Sequence, residues 1–164
     1  MLRNCLTTGA LCATGDVFSQ LLDSSQTYNP ASTLRNGAYG LLVFGPIGHR
    51  LYPALNMINP FKSSKANTIT RVAVDQLVWS PIGVALYLSA ISLMENRPFK
   101  DIKTKLNHVY WNVLITNWQV WPLFQFVNFT LIPVQNRLLA VNIASIGWNC
   151  YLSWKNRHSL EAIP

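Results

Sequence analysis

The sequence predicts an all-α protein, a polytopic transmembrane bundle of four to five spans with a short amphipathic helix near 99–107. Three observations carry this reading. Half of the 164 residues are hydrophobic and only 12% are charged, about half the ~25% charged share of an ordinary soluble domain, too little to cover a water-facing surface. The apolar residues gather into five segments divided by short polar or proline-bearing breaks. Six tryptophans add amphipathic rings of the kind that settle at membrane interfaces.

The segments run over 5–22, 36–57, 72–94, 108–131 and 137–154. Each approaches the ~20 residues that span a hydrocarbon core, the first and last only just. Asp23-Ser24-Ser25 ends the first, and Tyr28-Asn29-Pro30 starts a turn before the second. Asn59-Pro60 ends the second and Arg97-Pro98 follows the third, because the residue before a proline is pushed off the helical basin. Pro133 lies at the start of the fifth, where a proline costs least. Strand alternation does not persist, and an open sheet leaves its edges unsatisfied in lipid, so the bundle is helical. Connections this short make 1–164 one membrane-embedded helical domain.

Phe99, Ile102 and Leu106 recur at helical spacing with Lys100, Lys103 and Lys105 between them. This is either a basic amphipathic helix lying in the headgroup plane or the first turns of the fourth span. The net charge of +7 sits in the gaps between apolar segments, where cations meet anionic headgroups. No basic stripe follows one helix face, so direct nucleic-acid binding is not expected. The bilayer is the expected partner. Arg3, Lys62, Lys65, Arg71 and Arg137 fall on one side, and Arg35, Arg97, Lys100, Lys103, Lys105, Lys155 and Arg157 on the other. That bias is too small to set orientation.

The polar groups inside the apolar segments carry whatever function the chain has, since an ionised side chain at mid-bilayer costs at least ~2.5 kcal/mol. Asp16 lies deep in the first segment with Gln20 one turn on, His49 and Arg50 late in the second, and Asp75 and Gln76 near the start of the third. Antiparallel neighbours put Arg50 and Asp75 at one depth, allowing a pair that either fixes helix register or lines a pore. Trp118, Trp121, Gln125 and Asn128 form one stripe on the fourth segment. Asn142, Ser145, Asn149 and Ser153 form another on the fifth. Two such stripes on neighbouring helices suggest a hydrated seam, or amide pairs that hold the helices together at up to ~1–2 kcal/mol each. Gly9 with Ala13 and Ala140 with Ala144 permit close packing, as do the glycines at 37, 40, 45 and 48. Pro46, Pro53, Pro81 and Pro122 bend helices and favour enclosed space.

Three cysteines (Cys5, Cys12, Cys150) give neither a disulfide framework nor a CxxC pair. No signal peptide is visible, because Asp16 interrupts the first apolar run, and no SKL-type tail ends the chain. There is no nucleophile elbow, HExxH or glycine-rich phosphate loop, so no enzyme, metal or cofactor is expected.

The run Asn117-Trp118-Gln119-Val120-Trp121-Pro122-Leu123-Phe124-Gln125, continued by Asn128-Phe129, Pro133, Arg137, Trp148-Asn149 and Tyr151-Leu152-Ser153, resembles the Mpv17 and peroxisomal-membrane-protein family of small channel-like proteins. Weaker matches are Gly15-Asp16 with Gln20, Gly45-Pro46 with His49 and Tyr52, and Asp75-Gln76 with Pro81. Arg71–Leu77 and Arg137–Asn142 look most like the fungal stress-inducible mitochondrial branch. The resemblance covers nearly the whole chain. It implies a multipass protein of the mitochondrial inner membrane, a peroxisomal membrane being the alternative, with links to stress tolerance, metabolite balance and mitochondrial DNA maintenance. Self-association or a place in an inner-membrane complex is expected with it. The chain departs from the family in that its first apolar segment begins at residue 5, after a shorter basic lead. The leading reading is a pore for small solutes or ions, gated through Asp16, Asp75 or His49. A non-conducting scaffold is the alternative, and a carrier lacks the inverted repeats it needs.

Overall fold

The rods begin earlier than the apolar runs do, because helices start at caps rather than at the first hydrophobic residue. The computed structural model describes residues 1–22 and 27–161, with side chains placed through residue 155. Helix α1 is Leu2–Leu22. Helix α2 covers 30–56 as Pro30–Tyr39, a π-helical turn Gly40–Phe44, and Gly45–Asn56. Helix α3 is Ser64–Met94, with a second π turn at Asp75–Trp79. Helix α4 is Phe99–Leu131 and α5 is Val134–Glu161. Among the described residues there is no strand. The expected Asp23–Ser25 break lies outside the described residues.

Local chemistry sets the boundaries. Asn29 caps α2 through its side-chain oxygen, which accepts from the Ala31 amide at 3.0 Å, with Pro30 in the first turn. Ser63 caps α3 by accepting from Ala66. Helix α3 closes on Asn96, held at φ 54, with Arg97 N–H reaching back to the Ser92 carbonyl. Asn tolerates that left-handed position, and the following Pro98 prevents continuation. The basic stretch 99–107 is not a separate helix: it is the first turns of α4, with Ile102 and Lys105 buried against the bundle. The amphipathic pattern holds only in part: Ile102 faces the bundle as expected, but Phe99 is exposed and Lys105, expected on the polar side, is buried.

Both π turns immediately precede an X-Pro step, Gly45-Pro46 and Ser80-Pro81. In each, the residue before the proline donates to the carbonyl five back, Gly45 to Gly40 and Ser80 to Asp75. A regular turn there would drive the pyrrolidine ring into the preceding carbonyl, and widening by one residue relieves it.

Helix α1 packs between α2 and α5, α3 packs on α4, and α4 meets α5. The α1–α2 contact is close enough to require glycine. A Cβ on Gly40 would stand 2.7 Å from Cys12 Sγ and 2.8 Å from the Thr8 carbonyl. Polarity is distributed inside out. Leu77, Val78 and Ile82 on α3, and Trp111, Ile115, Leu123 and Phe126 on α4, are exposed, whereas Asp16, Asp75, Gln125, Asn128 and Asn142 are buried. By length and composition, one helix among the described residues is apolar enough to cross a membrane, α3, with mean hydropathy 1.8.

Candidate functional site

The π turn of α3 puts Asp75 at the hub of a polar network. Gln76 and Gln125 both donate to its Oδ2, at 2.7 and 3.0 Å. Gln125 Nε2 also reaches Tyr52 Oη at 3.4 Å, and its Oε1 accepts from Asn128 at 3.0 Å. Asn117 Nδ2 donates to Gln76 Oε1 at 3.1 Å and to Ser80 Oγ. Asp75 Oδ1 and Trp121 Nε1 are buried without a hydrogen-bond partner. Both residues line a cavity of about 90 Å³ to which all five helices contribute, from Cys12 on α1 to Ser145, Trp148 and Asn149 on α5. Trp121 and Trp148 meet edge to face across it, centroids 6.0 Å apart.

The same π turn explains Trp118. Ser80 N–H has gone to Asp75 and Pro81 has no N–H, so the Gln76 carbonyl has no helical donor. The Trp118 indole supplies one at 2.9 Å. Trp118 is otherwise 38% exposed, so it sits on the rim, and Asn117 takes its place in the inward stripe.

The second stripe turns the other way. Asn142 donates to Thr8 Oγ1 at 2.9 Å, Asn149 to Cys12 Sγ at 3.4 Å, and Ser153 to Asp16 Oδ1. The two stripes therefore do not share one seam, as their sequence spacing suggested. The α4 stripe faces α3, the α5 stripe faces α1, and the cavity lies between the two.

Asp16 belongs to its own cluster. Its carboxylate accepts from Gln20 (2.7 Å), Ser32 (2.8 Å), Thr33 (2.7 Å), Asn36 (3.2 Å) and Ser153. Asn36 in turn accepts the Tyr87 hydroxyl at 2.9 Å, and Gln20 Oε1 takes the Asn29 amide at 2.6 Å. This joins α1, α2, α3 and α5. The expected Arg50–Asp75 pair is not formed: Arg50 is exposed, and Asp75 is held by amides instead. His49 Nδ1 meets Asn4 Nδ2 at 3.0 Å, an α1–α2 contact away from the cavity.

Comparison with known proteins follows the same residues. The sequence profile of the Mpv17 / PMP22 family matches residues 92–153. Protein SYM1 of Debaryomyces hansenii is 48% identical, over 93% of this chain and 81% of that protein. Protein SYM1 of Saccharomyces cerevisiae is 44% identical, over 96% and 84%. The chain belongs to the Mpv17 / PMP22 family. Protein sym-1 of Neurospora crassa is 38% identical, over 95% of this chain and 91% of that protein. No solved structure matches the chain. The part covered by the Mpv17 / PMP22 profile contains the Asn117, Trp121, Gln125 and Trp148 side of the cavity, while Asp75 comes from outside it.

Of the residues singled out in the sequence, Asp75, Gln76, Trp121, Gln125 and Asn149 line the cavity. Asp16, Gln20, Asn128 and Asn142 lie in buried networks beside it, and Trp118, His49 and Arg50 lie away from its wall. Ser145 of the fifth-segment stripe lines it too, as do Tyr52, named only through the family resemblance, and Ser80 and Tyr87, which were not singled out. The signal of these last two was a hydroxyl inside an apolar segment, at spacings that a regular helix does not connect. No group of three or more His, Cys, Asp or Glu gathers for a metal among the described residues.

Proposed function

We propose that this chain is a multipass protein of the mitochondrial inner membrane whose helices enclose a path for small solutes or ions. The membership in the Mpv17 / PMP22 family and the likeness to Protein SYM1 support the location. The inside-out polarity supports the multipass arrangement: leucine, phenylalanine and tryptophan on the outside of α3 and α4, carboxylates and amides within. At about 1.5 Å per residue, even α1 reaches the ~30 Å of a hydrocarbon core. The crossing part of α4 is 108–131, leaving 99–107 at the headgroup level or beyond. Stress tolerance and mitochondrial DNA maintenance then follow as consequences of altered metabolite balance.

The observation that carries the path is the cavity, bordered by all five helices, two of whose lining residues carry an unpartnered carboxylate oxygen and indole N–H. A buried polar group without a partner costs ~1–3 kcal/mol. Two of them on residues that line one space mark it as a place for water or solute. A volume of about 90 Å³ holds about three waters, too few to line a crossing of ~30 Å. The structure is therefore read as a closed state with a chamber at mid-bundle.

Planar-bilayer conductance of the purified protein, with Gln125→Leu alongside, tests this. Discrete openings whose size or selectivity changes in the variant are expected, with helix content unchanged. A silent bilayer containing folded, inserted protein transfers the assignment to a scaffold, in which the amide networks serve only assembly.

A further inference from the structure

The chamber has a chemistry more specific than that of a wet gap. Its wall carries Trp79, Trp121 and Trp148 with Tyr39, Tyr52 and Tyr87, six electron-rich rings in a wall with one carboxylate. Asp75 is 2% exposed, and no Lys, Arg or His among the described residues forms an ion pair with it. Both amides that reach it bond Oδ2, so Oδ1 is left as a buried acceptor without a donor on a residue that lines the space. A buried carboxylate lacking a cation is costly unless something supplies one.

Three ligand chemistries could meet this demand, and the wall separates them. A calcium or magnesium ion takes six or more oxygens, usually from more than one carboxylate, whereas the wall holds a single carboxylate among neutral hydroxyls, amides and rings. Water satisfies the hydrogen bonds but leaves the charge uncompensated. An organic ammonium supplies both an N–H for Oδ1 and a cation for the ring faces, which attract it by their quadrupoles. Size narrows the class further. An apolar cavity of about 150 Å³ accepts benzene, so about 90 Å³ suits a molecule of roughly four heavy atoms. The remaining demand is an acceptor for Trp121 Nε1.

We propose that the chamber binds a small primary ammonium compound, its nitrogen on Asp75 and a hydroxyl oxygen accepting from Trp121, as in a two-carbon amino alcohol. This deepens the reading of the cavity as the chamber of a solute path by naming the class of solute that rests in it. The carboxylate sets the charge requirement, the rings favour an organic cation, and the volume favours a small one.

The test is a titration of the purified full-length chain in detergent, followed by calorimetry and by thermal unfolding. The probes are ethanolamine, ethylammonium, ethylene glycol and sodium, all as chloride-balanced solutions at equal ionic strength. Saturable binding of ethanolamine is expected, with ethylammonium weaker for want of the oxygen, and ethylene glycol and sodium at least tenfold weaker. Asp75→Asn keeps the side-chain shape and is expected to lose at least tenfold in ethanolamine affinity. Equal binding of ethylene glycol and ethanolamine by the unaltered chain, or no saturable binding at all, overturns the proposal without any variant. Undiminished affinity in folded Asp75→Asn does the same. Conductance on the same preparation separates the two readings. Binding without current keeps the ligand site and removes the pore, and current without binding does the reverse.

Discussion

Replacing Asp16 by Asn tests whether a single carboxylate pins three of the five helices directly and a fourth through Asn36. The carboxylate accepts five hydrogen bonds, three at Oδ1 from Ser32, Asn36 and Ser153, and two at Oδ2 from Gln20 and Thr33. Bonds to a charged acceptor contribute ~1.5–3 kcal/mol each, roughly twice a neutral bond. Asn keeps the shape but places an NH₂ where one oxygen stood. At Oδ2 that nitrogen faces Gln20, whose own oxygen is committed to the Asn29 amide. At Oδ1 it faces Asn36, whose oxygen is committed to Tyr87. The hydroxyl donors can rotate away and the amide donors cannot, so either orientation leaves one donor against another. Weakening of the surviving bonds, together with one orphaned donor, comes to about 3–5 kcal/mol. At ~2–4 °C per kcal/mol for a chain of this size, thermal unfolding in detergent should move down by about 10 °C. Ser153→Ala in the Asp16→Asn background should cost much less than in the unaltered chain, since the two share one interaction. An Asp16→Asn protein that unfolds within about 2 °C of its parent refutes the pin.

Three further outcomes follow from the geometry. Gly40→Ala places a methyl 2.7 Å from Cys12 Sγ and should lower stability by about 1–3 kcal/mol, whereas Gly37→Ala, whose nearest neighbour is Ala13 Cβ at 3.4 Å, should be close to neutral in the same thermal assay. Burial lowers the Lys105 amine from its usual 10.5 to about 8, Glu95 opposing and Arg97 adding to the shift. Between those values the unfolded chain binds the extra proton, so stability should rise with pH from about 8 to 10.5, and Lys105→Met should lack a rise of up to about 3 kcal/mol when the two are unfolded side by side across that range. Pro81→Ala returns a donor to α3 within reach of the Gln76 carbonyl. It should release the Trp118 indole and shift its emission, while an unchanged spectrum would count against the π-turn account of that contact.

The five apolar runs each contain the core of one helix, because hydropathy reports where side chains avoid water. It does not report where a helix begins, so Pro30–Arg35, Ser64–Arg71 and Phe99–Asn107 lay outside the runs although they are helical. The α4 stripe was legible to within one residue: Trp121, Gln125 and Asn128 point inward, but Asn117 precedes them in place of Trp118. A regular period predicts a face, not the helix opposite it. That is why the α5 stripe was matched to α4 when it meets Thr8, Cys12 and Asp16 on α1. The Arg50–Asp75 pair failed for a related reason. Equal depth is necessary for contact, but helix rotation decides it, and rotation here is altered by the π turns that precede Pro46 and Pro81.

Those two turns account for both the close α1–α2 packing and the cavity. A regular helix advances ~100° per residue, so Asp75 and Ser80 would lie about 140° apart and Asp75 and Tyr87 about 120° apart. A π turn absorbs one residue without advancing the face, which reduces these to about 40° and about 20°. Asp75, Ser80 and Tyr87 consequently share one wall of the cavity, and a serine and a tyrosine scattered through an apolar segment become part of a site. In α2 the same insertion works on Gly40 and Gly45, whose spacing would also put them about 140° apart. With it, both press on α1, Gly40 against Thr8 and Cys12 and Gly45 against Cys5. The two X-Pro steps are therefore not merely kinks that loosen the bundle. One rotates glycines together so that α2 closes on α1, and the other rotates polar side chains together so that α3 presents them to the space left between α2, α4 and α5.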